Sequence, residues 1–170
     1  VLSGLRAKLV PLVDAIDGKP KPRAIFAGQR FDPDVQWTFT LSLLEAMGFD
    51  LEAGRQDRST HPFTGGTGLF DVRLTTRLFP ELPLSSVFST VHEGGHGLYE
   101  QGFDPKHVRT PLAQAPSMGL HESQSRLWEN VVGRSRAFWS HFFPKYAALF
   151  PAQLAGVTTD DFLREVNRVE

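Results

Sequence analysis

The sequence predicts a mainly α-helical single domain, residues 1–170, with one small β element. Three observations carry this. Apolar residues recur at helical spacing in several long stretches, capping and stopping residues bracket those stretches, and only one short run is β-prone. With 170 residues, 41% hydrophobic and 22% charged, the chain suits one sizeable core of ordinary composition.

Residues 1–17 read as a first helix. Gly18-Lys19-Pro20-Lys21-Pro22 reads as a linker, because two prolines and a glycine oppose helix. A second helix is expected from Asp32-Pro33-Asp34, with Asp32 as cap and Pro33 at the first helical position. It should run through Trp37, Leu41, Leu44 and Met47 to a stop at Gly48. Residues 55–68 are polar and glycine-rich and read as an irregular connection. Residues 69–75 alternate imperfectly and form the best strand candidate. Phe79-Pro80-Glu81-Leu82-Pro83 breaks the chain. Leu84, Val87, Phe88, Val91 and Leu98 then repeat as on a helix, with Ser85 or Ser86 as cap. Residues 102–116 form a loop with two prolines. A long helix over 117–143 should follow, with Leu120, Leu127, Val131, Phe138 and Phe142 on or near one stripe, and Pro144 and Pro151 punctuating its end. A last helix begins at Thr159 and is cut off by the end of the chain. Both ends look abrupt, so the chain reads as a piece of a longer one.

The bulk numbers exclude several classes. A net charge of −1 with no basic stripe argues against a nucleic-acid partner, including a DNA-binding helix pair. Without cysteine there can be no disulfide, iron–sulfur cluster or thiolate-bound metal, so any metal site must use histidine and carboxylate. No apolar run approaches the roughly 18 residues of a membrane span, and no signal segment opens the chain. The expected setting is cytoplasmic.

The most informative stretch is His92-Glu93-Gly94-Gly95-His96. On a helix, residues four apart lie about 40° apart around the axis and about 6 Å apart along it, so both imidazoles reach one metal ion. Glu93, about 100° round from His92, can face a water on that ion. The glycines strain the helix. Gly94, Gly95 and Gly97 each cost about 1 kcal/mol relative to alanine, so packing or metal must hold it. Close approach of a neighbouring element is one reason to keep them.

Two histidines do not complete a catalytic zinc site, which normally has three protein ligands and one open position. His107, His121, Glu122 and Glu129 are the candidates, and Glu122 is favoured because it lies on a face distinct from the apolar stripe. Glu129, seven residues on, projects within about 20° of it. It can fix a ligand histidine's tautomer in the second shell, or simply pair with Arg126 or Arg136. His121 is either a further second-shell residue or a helix-entry residue with no chemistry.

Ordered motifs then give a resemblance. Asp71-Val72-Arg73-Leu74-Thr75 matches an Asp-x-Arg-x-Thr signature. His92–His96 is followed by Gly97-Leu98-Tyr99-Glu100-Gln101. His121-Glu122-Ser123-Gln124 matches a His-Glu-Ser-Gly/Gln signature. Gly54-Arg55 with Asp57, and His61-Pro62-Phe63-Thr64, fit the same pattern. Together they resemble the carboxypeptidase Taq family of metallocarboxypeptidases. The resemblance implies a mostly helical, zincin-like fold with a small sheet beside the metal cleft, and Glu122 as third ligand to His92 and His96. It implies a cytosolic homodimer that removes single C-terminal residues from peptides with a free C-terminus. The metal is expected to be zinc, with cobalt or another divalent ion as substitute. Family members are much longer, and the Ile/Tyr-Arg-x-x-Ala-Asp and Gly-x-x-Gln-Asp-x-His-Trp signatures that normally follow are absent from this sequence. The chain therefore resembles the central metal-binding portion, to be completed by missing parts of a parent chain.

The expected mechanism has Glu93 as general base to a zinc-activated water. Arg73 is the one arginine within a recognised motif able to read the substrate carboxylate; the alternative is that it braces the strand through Asp71 or Glu122. The strand itself is expected to bind substrate backbone along its edge. Two rival readings stand beside this one, a truncated or degenerate metal-binding domain without activity and a thermolysin-like endopeptidase.

Overall fold

A computed structural model describes residues 2–21 and 23–168. Among the described residues there are six α-helices: α1 (Leu2–Asp17), α2 (Pro33–Met47), α3 (Pro83–Gln101), α4 (Met118–Arg126), α5 (Arg136–Leu149) and α6 (Thr159–Val166). A sheet of β1 (Gly54–Arg58), β2 (Thr64–Gly68) and β3 (Asp71–Thr76) lies between α2 and α3 in the chain. Val1 and Glu170, where the two expected terminal helices would begin and end, lie outside the described residues, as does Pro22 of the expected linker. No helix among the described residues is long and apolar enough to cross a membrane.

Local chemistry sets the element ends. The Asp32 carboxylate accepts the Asp34 and Val35 N–H groups, Pro33 presets the first turn, and Gly48 closes α2 in the left-handed region at φ 88°. Thr158 and Asp161 form a reciprocal capping box on α6. The expected serine cap on α3 is not used. That helix starts at Pro83, without a side-chain cap, and the Ser86 hydroxyl is buried, bonded to Gln36 Oε1 at 2.9 Å. The helix expected over 117–143 is broken. After α4 the backbone widens into a π-helical segment, Leu127–Val132, and Gly133–Arg134 turn before Ser135 caps α5. Pro144 lies inside α5 rather than ending it. Nor is the predicted stripe a core stripe. Phe138 is buried, but Leu120, Leu127 and Val131 are 44%, 45% and 63% exposed.

The connection expected over 55–68 contains two strands. Polar and glycine-rich, they show no alternation because little of either is buried. Strand order is β1-β3-β2, with β1 parallel and β2 antiparallel to β3. The strand candidate is therefore central, not at an edge; β1 and β2 are the two edge strands, and β2 is the one beside the cleft. Val72 and Leu74 bury one face of β3 with Leu44 and Phe49. The larger cluster packs Phe39, Leu43, Val87 and Val91 against Trp139, Tyr146 and Phe162. A buried polar link ties three elements. Gln56 of β1 donates to Thr40 of α2 at 2.9 Å and accepts from Thr90 of α3 at 3.2 Å. Such satisfied bonds fix the rotation of α3, on which the site is built.

Candidate metal centre

Helix α3 presents His92, Glu93 and His96, and α4 presents Glu122 against them. The glycines of α3 make this proximity possible. A Cβ on Gly95 would lie 2.8 Å from Ser125 Cα and 3.0 Å from the Gln124 carbonyl oxygen, so α4 packs directly on the α3 backbone. A Cβ on Gly97 would meet Phe49 at 2.7 Å, and one on Gly94 the tips of Leu44 and Met47 at 2.9 Å. Close packing is thus the physical reason for three costly residues in one helix.

His92, His96 and Glu122 each bring one ligand atom within 4.8 Å of the others. The His96 Nε2 to Glu122 Oε2 distance is 3.1 Å, and that from His92 Nε2 is 3.6 Å. A tetrahedral ion with bonds of about 2.0–2.1 Å separates its ligand atoms by about 3.3 Å, close to both values. The far sides of the rings are held. His92 Nδ1 lies 2.8 Å from Glu129 Oε2, and His96 Nδ1 lies 2.5 Å from His121 Nδ1. An imidazole whose Nδ1 is the donor keeps its Nε2 lone pair for a cation, and both Nε2 atoms here face a Glu122 oxygen. Three electron-pair donors that converge in this way fit a cation.

The electrostatics agree. The hydrogen bond to Glu129 is the largest influence on His92 and raises its pKa, while burial, then His121 and His92, lower that of His96. Burial works to raise Glu122, yet Arg126, His92 and Ser125 together hold its carboxyl below the usual range. Arg126 Nε donates to Glu122 Oε1 at 2.9 Å, which leaves Oε2 turned to the histidines. Glu129 is not merely a solvated charge: besides His92 it meets Arg126 at 3.2 Å and Arg134 at 3.9 Å. Arg136 pairs with Asp160 instead. Glu93 is buried, and burial raises its pKa even though the Thr64 hydroxyl donates to its Oε2 at 2.6 Å.

Beside the donors lies a cleft of about 580 Å³, lined by Thr64, Gly65, Gly66 and Gly68 of β2 on one side and by Glu93, His96, Glu100, Met118 and His121 on the other. A larger hollow, about 650 Å³, sits near Phe26 and the start of α3 and contains none of the donor set, so the chemistry belongs to the smaller one. Arg73 does not line the cleft. Its Nε and Nη2 donate to Asp71 at 2.7 and 3.1 Å, and it is exposed, opposite the buried face of Val72 and Leu74. Of the two bracing partners expected for it, Asp71 is used and Glu122 is not. His107 sits in a one-turn 3₁₀ helix, Pro105–His107, and is not in the donor group.

Two residues at the site escaped the sequence reading. Thr64, in a motif without an assigned role, holds Glu93. Glu100 accepts a hydrogen bond from His121 Nε2 at 2.6 Å. A signal for Glu100 existed: His92, His96 and Glu100 are spaced by four and share one helix stripe.

A sequence model of the carboxypeptidase Taq (M32) metallopeptidase family matches residues 1–170. Thermostable carboxypeptidase 1 of Thermus thermophilus is 46% identical over 167 residues, covering 98% of this chain and 32% of that protein. Carboxypeptidase 1 of Bacillus subtilis is 36% identical over 164 residues, covering 96% and 33%. The crystal structure of an M32 carboxypeptidase from Deinococcus radiodurans superimposes with a TM-score of 0.96 at 48% identity, covering 100% of this chain and 34% of that one. Trypanosoma cruzi metallocarboxypeptidase 1 gives 0.77 at 33% identity, covering 89% and 29%. The chain spans about a third of the length of the curated relatives it matches. The donor set described above is consistent with a metallopeptidase, and by its match over the whole length this chain belongs to the carboxypeptidase Taq (M32) family.

Proposed function

We propose that the protein serves a metallocarboxypeptidase reaction, release of single C-terminal amino acids from peptides, with zinc held by His92, His96 and Glu122. The observation that carries the reading is the convergence of two Nε2 atoms and one carboxylate oxygen beside a cleft, in a chain of this family. A divalent ion there supplies polarisation of a peptide carbonyl and lowers the pKa of a water toward about 7.

The chain's own groups then act as follows. Glu93 takes a proton from the attacking water and returns it to the departing amine; its raised proton affinity suits both transfers. Thr64 fixes the plane of that carboxylate through Oε2. The substrate backbone pairs along the free edge of β2, where Gly65, Gly66 and Gly68 allow close approach. Arg73 braces β3 through Asp71.

One observation favours a second reading. Among the described residues no arginine or lysine lines the cleft, so a reader for the terminal carboxylate is not supplied there. On that reading the chain holds metal without turnover until further protein completes the cleft. The cytosolic, homodimeric setting implied by the resemblance belongs to the same proposal, and the apolar exposure of α1 and α4 supports cover by other protein.

A carboxypeptidase assay on the metal-loaded chain, with a free and a C-terminally amidated peptide, tests the reading. Cleavage of the free peptide only supports it, no cleavage with metal bound supports the second reading, and cleavage of the amidated peptide points to an endopeptidase. Glu93→Gln should keep the metal and lower turnover by at least about 10²-fold. Undiminished turnover would remove Glu93 from the proton path.

A further inference from the structure

His96 is held differently from His92. Its Nδ1 meets not a carboxylate but a second imidazole, His121 Nδ1 at 2.5 Å, whose Nε2 lies 2.6 Å from Glu100 Oε1. His121 is largely enclosed, with 12% of its side chain exposed. The chain of contacts leaves little freedom in where the protons sit. A carboxylate accepts and does not donate, so His121 Nε2 must carry a proton toward Glu100. Between the two Nδ1 atoms there is room for one proton only. If His96 carries it, His121 is neutral and accepts through Nδ1, and His96 Nε2 keeps its lone pair toward Glu122 Oε2. If His121 carries it, His96 must bear its proton on Nε2, or be left without one, and in the first case cannot ligate.

We propose that Glu100 and His121 are positioning residues that lock His96 in its Nδ1–H tautomer, so that His96 Nε2 faces the ion. The inference rests on the metal-centre reading for its purpose, and on contacts independent of that reading for its geometry. Glu100 anchors the relay from the last turn of α3, two helical turns beyond His92, while His121 reaches across from the first turn of α4. The relay therefore also ties the two helices whose relative position sets the His96–Glu122 distance. His92 reaches the same end by a shorter route, directly through Glu129. Tyr99 packs against His121 with ring centroids 4.9 Å apart and planes inclined by 57°, and limits its rotation.

The test is a nitrogen-15 histidine spectrum of the zinc-loaded chain, with competitive chelator titration of variants. His96 should show the Nδ1–H form and His121 the Nε2–H form. Glu100→Leu should weaken zinc binding by about 10–100-fold and Glu100→Gln, whose amide oxygen still accepts from Nε2–H, should restore most of it. A His121 in the Nδ1–H form would overturn the proposal, as would Glu100→Leu binding zinc within twofold of the unaltered chain. The spectrum of the unaltered chain needs no variant to fold. If that chain takes up no zinc, the metal-centre reading fails. The metal-free spectrum then still decides the relay: one proton between His96 and His121 with His121 Nε2–H upholds it, and separate, unpaired imidazoles overturn it.

Discussion

His92 is gripped on both sides, by Glu129 at Nδ1 and by Glu122 facing Nε2. The grip has a consequence for the metal-free chain. His92 has a raised folded pKa, so its contribution to stability is full below the ordinary value of 6.5 and lost as pH rises through the raised one. Glu129 has a lowered folded pKa, so its contribution is full above 4.5 and lost as pH falls. The pair therefore stabilises most between pH 4.5 and 6.5. Inside that window Glu93 and His96 act against each other: the raised pKa of Glu93 costs stability as pH rises above 4.5, and the lowered pKa of His96 costs stability as pH falls below 6.5. Thermal melts in chelator should show a maximum in that window and a fall above it, and Glu129→Gln should flatten the fall. A melting temperature that rises steadily from pH 6 to 9 in chelator contradicts the pairing. With metal the trend reverses, since ligation requires His92 deprotonated.

At the scale of elements, α3 and its glycines decide the geometry, and two substitutions separate their roles. Gly94→Ala meets only the mobile ends of Leu44 and Met47, and the gain of about 1 kcal/mol in helix propensity offsets the crowding. Its stability should stay within about 1 kcal/mol of the parent, with metal affinity unchanged. Gly95→Ala meets the backbone of α4 three residues after Glu122. It should destabilise by about 1–3 kcal/mol and also weaken metal binding, because Glu122 must move. Denaturant melts and chelator competition on both variants check this; equal effects would contradict it. The sequence made α2 legible to the residue, because Asp32, Pro33 and Gly48 each use a local mechanism. It hid β1 and β2, whose pairing comes from β3 and from Gln56 reaching Thr40 and Thr90, contacts that no local pattern records. The π-helical widening at Leu127–Val132 was equally hidden, since nothing in Leu-Trp-Glu-Asn-Val-Val marks it. The candidate donors His92 and His96 were legible because helical spacing alone brings them together. The relay through His121 to Glu100 crosses two helices and was only half visible.

At the scale of the whole molecule, α1 and the α4 region expose apolar residues that their periodicity marks for burial. In α1 no residue is buried, although Leu5, Leu9, Leu12 and Ile16 recur at helical spacing. On α4 and the segment after it, Met118, Leu120, Leu127 and Val131 are exposed too. Hydrophobic periodicity reports which face requires cover, not where the cover comes from. In a chain one third the length of its relatives, cover from outside this span is the natural account. The candidate metal centre is different, because its three donors and the side chains bonded to them lie within α3, β2, α4 and the segment that follows. It should therefore assemble in this chain without further protein. The direct test is the metal-to-protein ratio of the purified chain after zinc loading and removal of excess, measured by elemental analysis beside Glu122→Ala. One zinc per chain, lost in the variant by a fall in affinity of more than about 100-fold, is the predicted result. A ratio near zero in the unaltered chain, or an unchanged ratio in Glu122→Ala, would contradict the site.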